Sequence, residues 1–118
     1  MAFDVQAALE RTGLPTSRST IRRQGDEDNL LPDIYLIYSE MLVPGDFFDD
    51  RYHAMLHHVT VHICSAGNPR EALESVIREM GAEGFSPTPE VQDGYDRDAD
   101  LYVTVCQFEG EERIADAL

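Results

Sequence analysis

The residues best suited to chemistry are four histidines and a cysteine that lie close together in the chain. They run from His53 through His57, His58 and His62 to Cys64, and the last three alternate along one predicted strand. A metal ion needs three or four ligands that converge on one point. Strand positions i, i+4 and i+6 instead form a line about 7 to 20 Å long. We therefore predict no metal site, and interpret the histidines as solvated strand residues or as an interface stripe whose charge changes near neutral pH.

An acidic segment gives a second signal, for calcium. Asp96, Asp98 and Asp100 have the spacing that opens a calcium-binding loop. Leu101 then stands where that loop needs glycine, and Gln107 stands where it needs a bidentate glutamate. The mismatch favours a solvated acidic turn.

The sequence contains no recognisable catalytic motif. The segment 65–69 (SAGNP) leads into a helix N-terminus, which can hold an anion, but it has one glycine and no lysine. No serine, cysteine or histidine lies in a known nucleophile motif. We predict a protein that is not an enzyme and binds no cofactor.

The net charge of the chain excludes some classes of binding partner. The 118 residues include 23 acidic and 9 basic side chains, a formal charge of −14, and every basic residue is arginine. Such a chain repels nucleic-acid backbones and anionic membrane surfaces. No apolar stretch is long enough to span a bilayer, and the length suits one domain. Two isolated cysteines predict free thiols in a reducing compartment.

Hydrophobic periodicity predicts an α+β fold. Ile34, Leu36 and Tyr38 share one strand face, while Asn68 before Pro69 marks a helix start. The predicted order is α-β-β-α-β-β, a single domain with two helices packed on one small mixed or antiparallel sheet. The elements are a helix at 4–12, strands at 33–40 and 52–65, a helix at 68–83, a short strand at 88–92, an acidic turn at 93–100 and a strand at 101–109.

Three segments lie outside this regular pattern. Residues 16–31 are polar, with Arg18, Arg22 and Arg23 ahead of an acidic run, and are predicted to form a flexible arm. A loop at 43–51 carries Phe47 and Phe48 between acids. One phenylalanine could fold back onto the core, or both could form an apolar tip that contacts a neighbour. Residues 110–118 are predicted to be a polar tail.

The order of these motifs resembles the tail-terminator or tail-completion (neck) proteins of long-tailed bacteriophages. The similar features, over about residues 5–110, are the break GLP at 13–15, PDIYLIY at 32–38, VTVHICSAGN at 59–68, GF at 84–85 and LY at 101–102. The long acidic stretch at 24–29, the histidine-rich strand and the lack of lysine depart from that pattern.

The resemblance implies a structural protein of the virion, assembled in the host cytoplasm. It implies a homo-oligomeric ring, most often a hexamer, that ends polymerisation of the tail tube and docks the tail to the head connector. DNA would pass through the ring without specific binding, and no membrane would be involved. Six copies would carry 6 × (−14) = −84 formal charges, which would repel DNA from a channel wall.

Ring closure requires a head-to-tail contact between copies. The candidate interface residues are Arg18, Arg22, Arg23, Phe47, Phe48, Asp96, Asp98 and Asp100, with the arginines pairing to the acidic turn of the next copy. Three alternatives remain open: a connector of the stopper or adaptor type, a small metal- or ligand-binding domain, and an acidic mimic of DNA.

Overall fold

A computed structural model describes residues 3–18, 33–48, 51–97 and 100–113. For 45–48, 51–53, 89–90 and 113 it describes the backbone alone. The helices are α1 (Val5–Glu10) and α2 (Arg70–Glu83). The strands are β1 (Thr16–Arg18), β2 (Ile34–Phe48), β3 (Arg51–Ser65), β4 (Ser86–Asp96) and β5 (Leu101–Arg113).

The strands form one mixed sheet in the order β1-β2-β3-β5-β4. β1 pairs in parallel with β2, Ser17 lying opposite Ile37, and the remaining neighbours are antiparallel. β2 and β3 are each fifteen residues long, so each spans about 50 Å. This length matches the longest dimension of the molecule, 52 Å.

Both helices pack on the same face of the sheet. Alternation places Leu36, Val61 and Phe108 on this face, where each is at most 1% exposed. They join Leu9 of α1 and Val76 of α2 in the principal core. Ion pairs also link the helices, and hydroxyl Oη of Tyr38 donates to Gln6 of α1 at 2.8 Å. The α+β class predicted from the sequence is therefore confirmed.

Helix α2 ends at Glu83 as predicted, but it begins at Arg70 with Pro69 as its N-cap, two residues after the predicted start at Asn68. Asn68 Oδ1 accepts a hydrogen bond from the N–H of Arg70 at 2.9 Å, which satisfies one free amide of the first turn. Gly84 has φ of 113°, a conformation that glycine adopts without steric cost. The N–H of Phe85 then donates to the carbonyl of Met80 at 3.0 Å and closes the helix. Phe85 is buried under the last turn.

The predicted strand order was wrong in one respect, because β1 precedes the other strands. Residues 16–18 were assigned to the flexible arm, but the N–H of Leu36 donates to Pro15 at 2.8 Å and pairing continues to Arg18. A three-residue strand is too short to produce a periodic signal. The rest of the arm, 19–31, lies outside the described residues.

Three predicted segment boundaries were also wrong. Residues 43–48 belong to β2 and pair with β3, so the expected loop is the end of a long hairpin. β4 continues to Asp96, through the first half of the predicted acidic turn. Residues 110–113 of the predicted polar tail belong to β5, where Gly110 is buried opposite His57. Neither described helix combines the length and apolarity that a bilayer crossing requires.

Candidate functional site

The basic part of the predicted interface begins on β1, at one edge of the described sheet. Arg18 is the last residue of β1, and its side chain is 61% exposed. Its Nη2 lies 3.6 Å from Oε1 of Glu40 on β2. Arg22 and Arg23 lie outside the described residues. The position of Arg18 therefore presents a guanidinium at this edge, although the charge already has a partner in its own chain.

The aromatic part of the predicted interface lies near the end of the β2–β3 hairpin. Phe47 pairs with Tyr52 and Phe48 pairs with Arg51. At these positions only the backbone is described, so the choice between a folded-back ring and an apolar tip stays open. Met41 and Leu42, earlier on β2, are 60% and 53% exposed. Adjacent strand residues point to opposite faces, so this hairpin exposes apolar side chains on both.

The acidic part of the predicted interface lies at the turn between β4 and β5. Asp96 ends β4 opposite Leu101, and Asp98 lies outside the described residues. Asp100 has φ of 58°, a left-handed conformation that aspartate tolerates better than most residues. Its carboxylate accepts a hydrogen bond from the hydroxyl of Tyr95. This bond and partial burial raise the pKa of Tyr95, so the turn is tied to β4.

The basic and acidic residues occupy opposite edges of one sheet. Arg18 lies on β1 and Asp96 on β4, with three strands between them. Strands in a sheet lie about 4.8 Å apart, so roughly 19 Å separates the two edges. The fold does not bring Arg18 and Asp96 together within one chain. These two residues could pair if the β1 edge of one copy met the β4 edge of another.

An open groove between α2 and the β4–β5 pair was not predicted from the sequence. It has a volume of about 560 Å³, and Leu73, Ile77, Tyr102, Thr104 and Asp93 form much of its lining. Tyr102 is 48% exposed. Its ring meets that of Tyr95 edge to face, with centroids 5.0 Å apart. The lining of the groove comes from a helix and two strands that are separate in the chain, so no local sequence pattern indicated it.

His57 is buried, contrary to the interpretation of the histidines as solvated. Its side chain is 7% exposed and lies on the helix-bearing face. Nε2 is 3.0 Å from Oε1 of Glu112, and Nδ1 is 3.7 Å from Oε2 of Glu40. Phe3 packs edge to face on the ring at 5.0 Å, with Phe85 beyond. These partners come from distant parts of the chain, so no local pattern indicated them.

The helix-free face carries the other described histidines. His58 is half-exposed, 3.8 Å from a carboxylate oxygen of Glu109. His62 lies between Ile37 and Val105 in the strand register. Burial lowers the pKa of His62. Of His53 only the backbone is described.

The two cysteines are free and lie on opposite faces of the sheet. Cys106 belongs to the core under the helices, whereas Cys64 packs with Tyr35 and Ile37 on the helix-free face. Burial raises the pKa of Cys106 to about 12 and also raises the pKa of Cys64. Burial, with the neighbouring Cys64, raises the pKa of Tyr35 to about 12. The prediction of free thiols is confirmed, and both thiols are buried.

Across 3–18, 33–48, 51–97 and 100–113, no three histidine, cysteine or acidic side chains are arranged to hold a metal ion. The two ring nitrogens of His57 face different carboxylates instead of one shared point. The features that the described residues offer for binding are thus ion pairs, exposed apolar side chains and strand edges.

No protein-family model and no curated protein matches this sequence. Among solved structures, one protein that carries no functional name matches 93% of this chain and 86% of its own, with a TM-score of 0.49 and 12% identity. A similarity at this level carries no functional argument.

Proposed function

We propose that this chain is a structural subunit that associates with its own copies into a ring at the head-proximal end of a bacteriophage tail tube. In this role it ends tube polymerisation and presents a docking surface to the head connector. The ring is most simply a hexamer, and it performs no catalysis.

The observation that carries this proposal is the separation of charge across the sheet. Arg18 stands on the β1 edge, whereas Asp96 ends β4 at the opposite edge and Asp100 follows in the turn from β4 to β5. A contact between two different surfaces repeats from copy to copy, and a fixed rotation closes it into a ring. A two-fold dimer that joined two sheets edge to edge would instead pair like edges, acid against acid at β4, which is unfavourable.

The shape and surface of the subunit are also suited to assembly. The molecule measures 52 × 28 × 23 Å, and Met41 and Leu42 expose apolar surface on its long hairpin. Exposed apolar side chains of this size favour contact with another protein. The formal charge of −14 per copy would keep DNA from adhering to a ring that it traverses.

The test is to add the purified chain to growing tail tubes and to measure tube lengths by electron microscopy. We expect a ring on one end of each tube and no further growth from that end. Tubes that continue to lengthen, with no added density at either end, would contradict the proposed function.

Charge reversal tests the contact itself. The double variant Arg22→Glu, Arg23→Glu should prevent ring formation, because it would face the acidic turn with like charge. Arg78→Glu is the control, because Arg78 is 67% exposed on α2 and is not among the predicted interface residues. Rings that form equally well from both variants would exclude this arginine–acid pairing.

A further inference from the structure

Among the described residues, no strand pairs with the outer edge of β4, and prolines protect only part of that edge. β5 is the one strand that pairs with β4 in the described part of the chain. An unpaired edge offers its backbone N–H and C=O groups to another strand. Pro87 and Pro89 protect the first half, because proline has no N–H to donate. The second half, from Val91 to Asp96, contains no proline and can accept a strand.

The side chains along this edge are apolar on the face that carries the helices. Val91 pairs with Cys106 of the core, so the side chains of Val91, Asp93 and Tyr95 share that face. Val91 is 42% and Tyr95 49% exposed. The open groove beside α2 is lined by Asp93 and Gly94, which lie between Val91 and Tyr95. A strand added at this edge would cover apolar side chains that water now contacts.

Asp93 places a negative charge between the two apolar residues. The hydroxyl Oγ1 of Thr104 donates to its carboxylate at 2.9 Å and fixes its position. Across the groove, the guanidinium Nε of Arg70 lies 3.5 Å from a carboxylate oxygen of Glu74. Arg70 is therefore paired with a carboxylate on its own helix. An incoming strand would gain from a cation opposite Asp93 and lose from an anion there.

We propose that the β4 edge from Val91 to Asp96, with the adjoining groove, binds an extended segment of a neighbouring polypeptide. The segment carries an arginine or lysine between two apolar residues at alternate positions. Backbone pairing provides the affinity, and the alternate side chains select the segment. This inference rests on the proposed function, in which the segment belongs to a neighbouring copy of the chain. The binding surface itself can nevertheless be tested on a single copy.

The test uses two heptapeptides of threonine with valine at positions two and six. One has arginine at position four, and the other has glutamate. We expect amide shifts in the NMR spectrum of the full chain, at a concentration where it is a single copy, to concentrate in β4 and the groove. The glutamate peptide should bind about tenfold more weakly, because a cross-strand attraction becomes a repulsion. Methylating alternate peptide nitrogens should abolish binding, because β-pairing needs those N–H groups.

Two variants separate the charge effect from a change in fold. Asp93→Asn keeps an oxygen that can accept from Thr104, and it should make the affinities of the two peptides nearly equal. Glu109→Gln removes an exposed carboxylate of β5 and should leave the tenfold preference unchanged. Equal affinities of the wild-type chain for both peptides, no binding of either, or shifts located away from β4 would overturn the proposal. These measurements do not depend on ring formation. Their outcome therefore tests the binding surface separately from the proposed ring.

Discussion

Nε2 of His57 lies 3.0 Å from a carboxylate oxygen of Glu112, and this contact joins β3 to β5. A carboxylate only accepts hydrogen bonds, so this nitrogen carries the proton. In the neutral ring, Nδ1 is then an acceptor, and no hydrogen-bond partner reaches it among the described residues. The Glu112 contact is therefore the principal polar partner of an imidazole packed against Phe3.

Removing that partner should destabilise the fold. Glu112→Ala leaves a buried donor unsatisfied, which costs about 1–3 kcal/mol. Glu112→Gln should cost less, because its amide oxygen can still accept. Chemical denaturation of the two variants and the wild type measures the difference. A wild-type midpoint for Glu112→Ala would show that the contact contributes nothing.

The lowered pKa of His62 predicts a loss of stability in acid. Burial disfavours the charged imidazole, so the unfolded chain binds more protons than the folded chain at a pH below the ordinary pKa of 6.5. The contribution of His62 to the free energy of unfolding is therefore fully present above pH 6.5. It decreases as the pH falls through the lower pKa that His62 has in the folded chain.

The variant His62→Gln should lose less stability than the wild type between about pH 7.5 and 5.5. His58→Gln, at a half-exposed position on the same face, serves as the control. Thermal melts across this range give the comparison. Parallel pH profiles of wild type and His62→Gln would contradict this account.

The buried thiols should be unreactive while the chain is folded. Thiolate is the reactive form, and burial raises the pKa of Cys106 to about 12. Cys64 is 6% exposed, so access to it is also restricted. At pH 8, a thiol-specific reagent should label neither cysteine in the native protein and both in denaturant. Rapid native labelling of Cys106 would place it outside the core.

Phe108 should contribute more to stability than any exposed apolar residue. It is 1% exposed in the core beneath the helices. Phe108→Ala should cost about 3–5 kcal/mol, through lost burial and the cavity that remains. Leu42→Ala, at a 53% exposed site, should change stability by less than about 0.5 kcal/mol. Equal denaturation midpoints for these variants would contradict the assigned core.

Prolines explain much of what sequence reasoning missed. Pro44 indicated a loop, yet it pairs with Met55 in β2. No described strand lies on the other side of β2 at this point, so the missing N–H of Pro44 costs no hydrogen bond there. Pro87 is tolerated in β4 for the same reason. By contrast, the C-terminal end of α2 follows from Gly84, because this cap depends on the local sequence. The start of α2 lies two residues after the predicted Asn68.

The candidate interface was only partly predictable. Arg18 and Asp96 were recognised as charged partners, but their places at opposite edges depend on strand order, which composition does not determine. The exposed Tyr95 was missed because an acidic turn was expected at 93–100, and Tyr102 was placed in a strand without its exposure being predicted. Their pairing across β4 and β5 requires the register of two strands.

The most direct test of the central claim is the mass of the purified full chain in solution, measured by native mass spectrometry and supported by negative-stain images. The account predicts a closed ring, with a hexamer weighing six times the 13.3 kDa chain. A single-copy mass at every concentration, with no annular particles alone or on tail tubes, would contradict it.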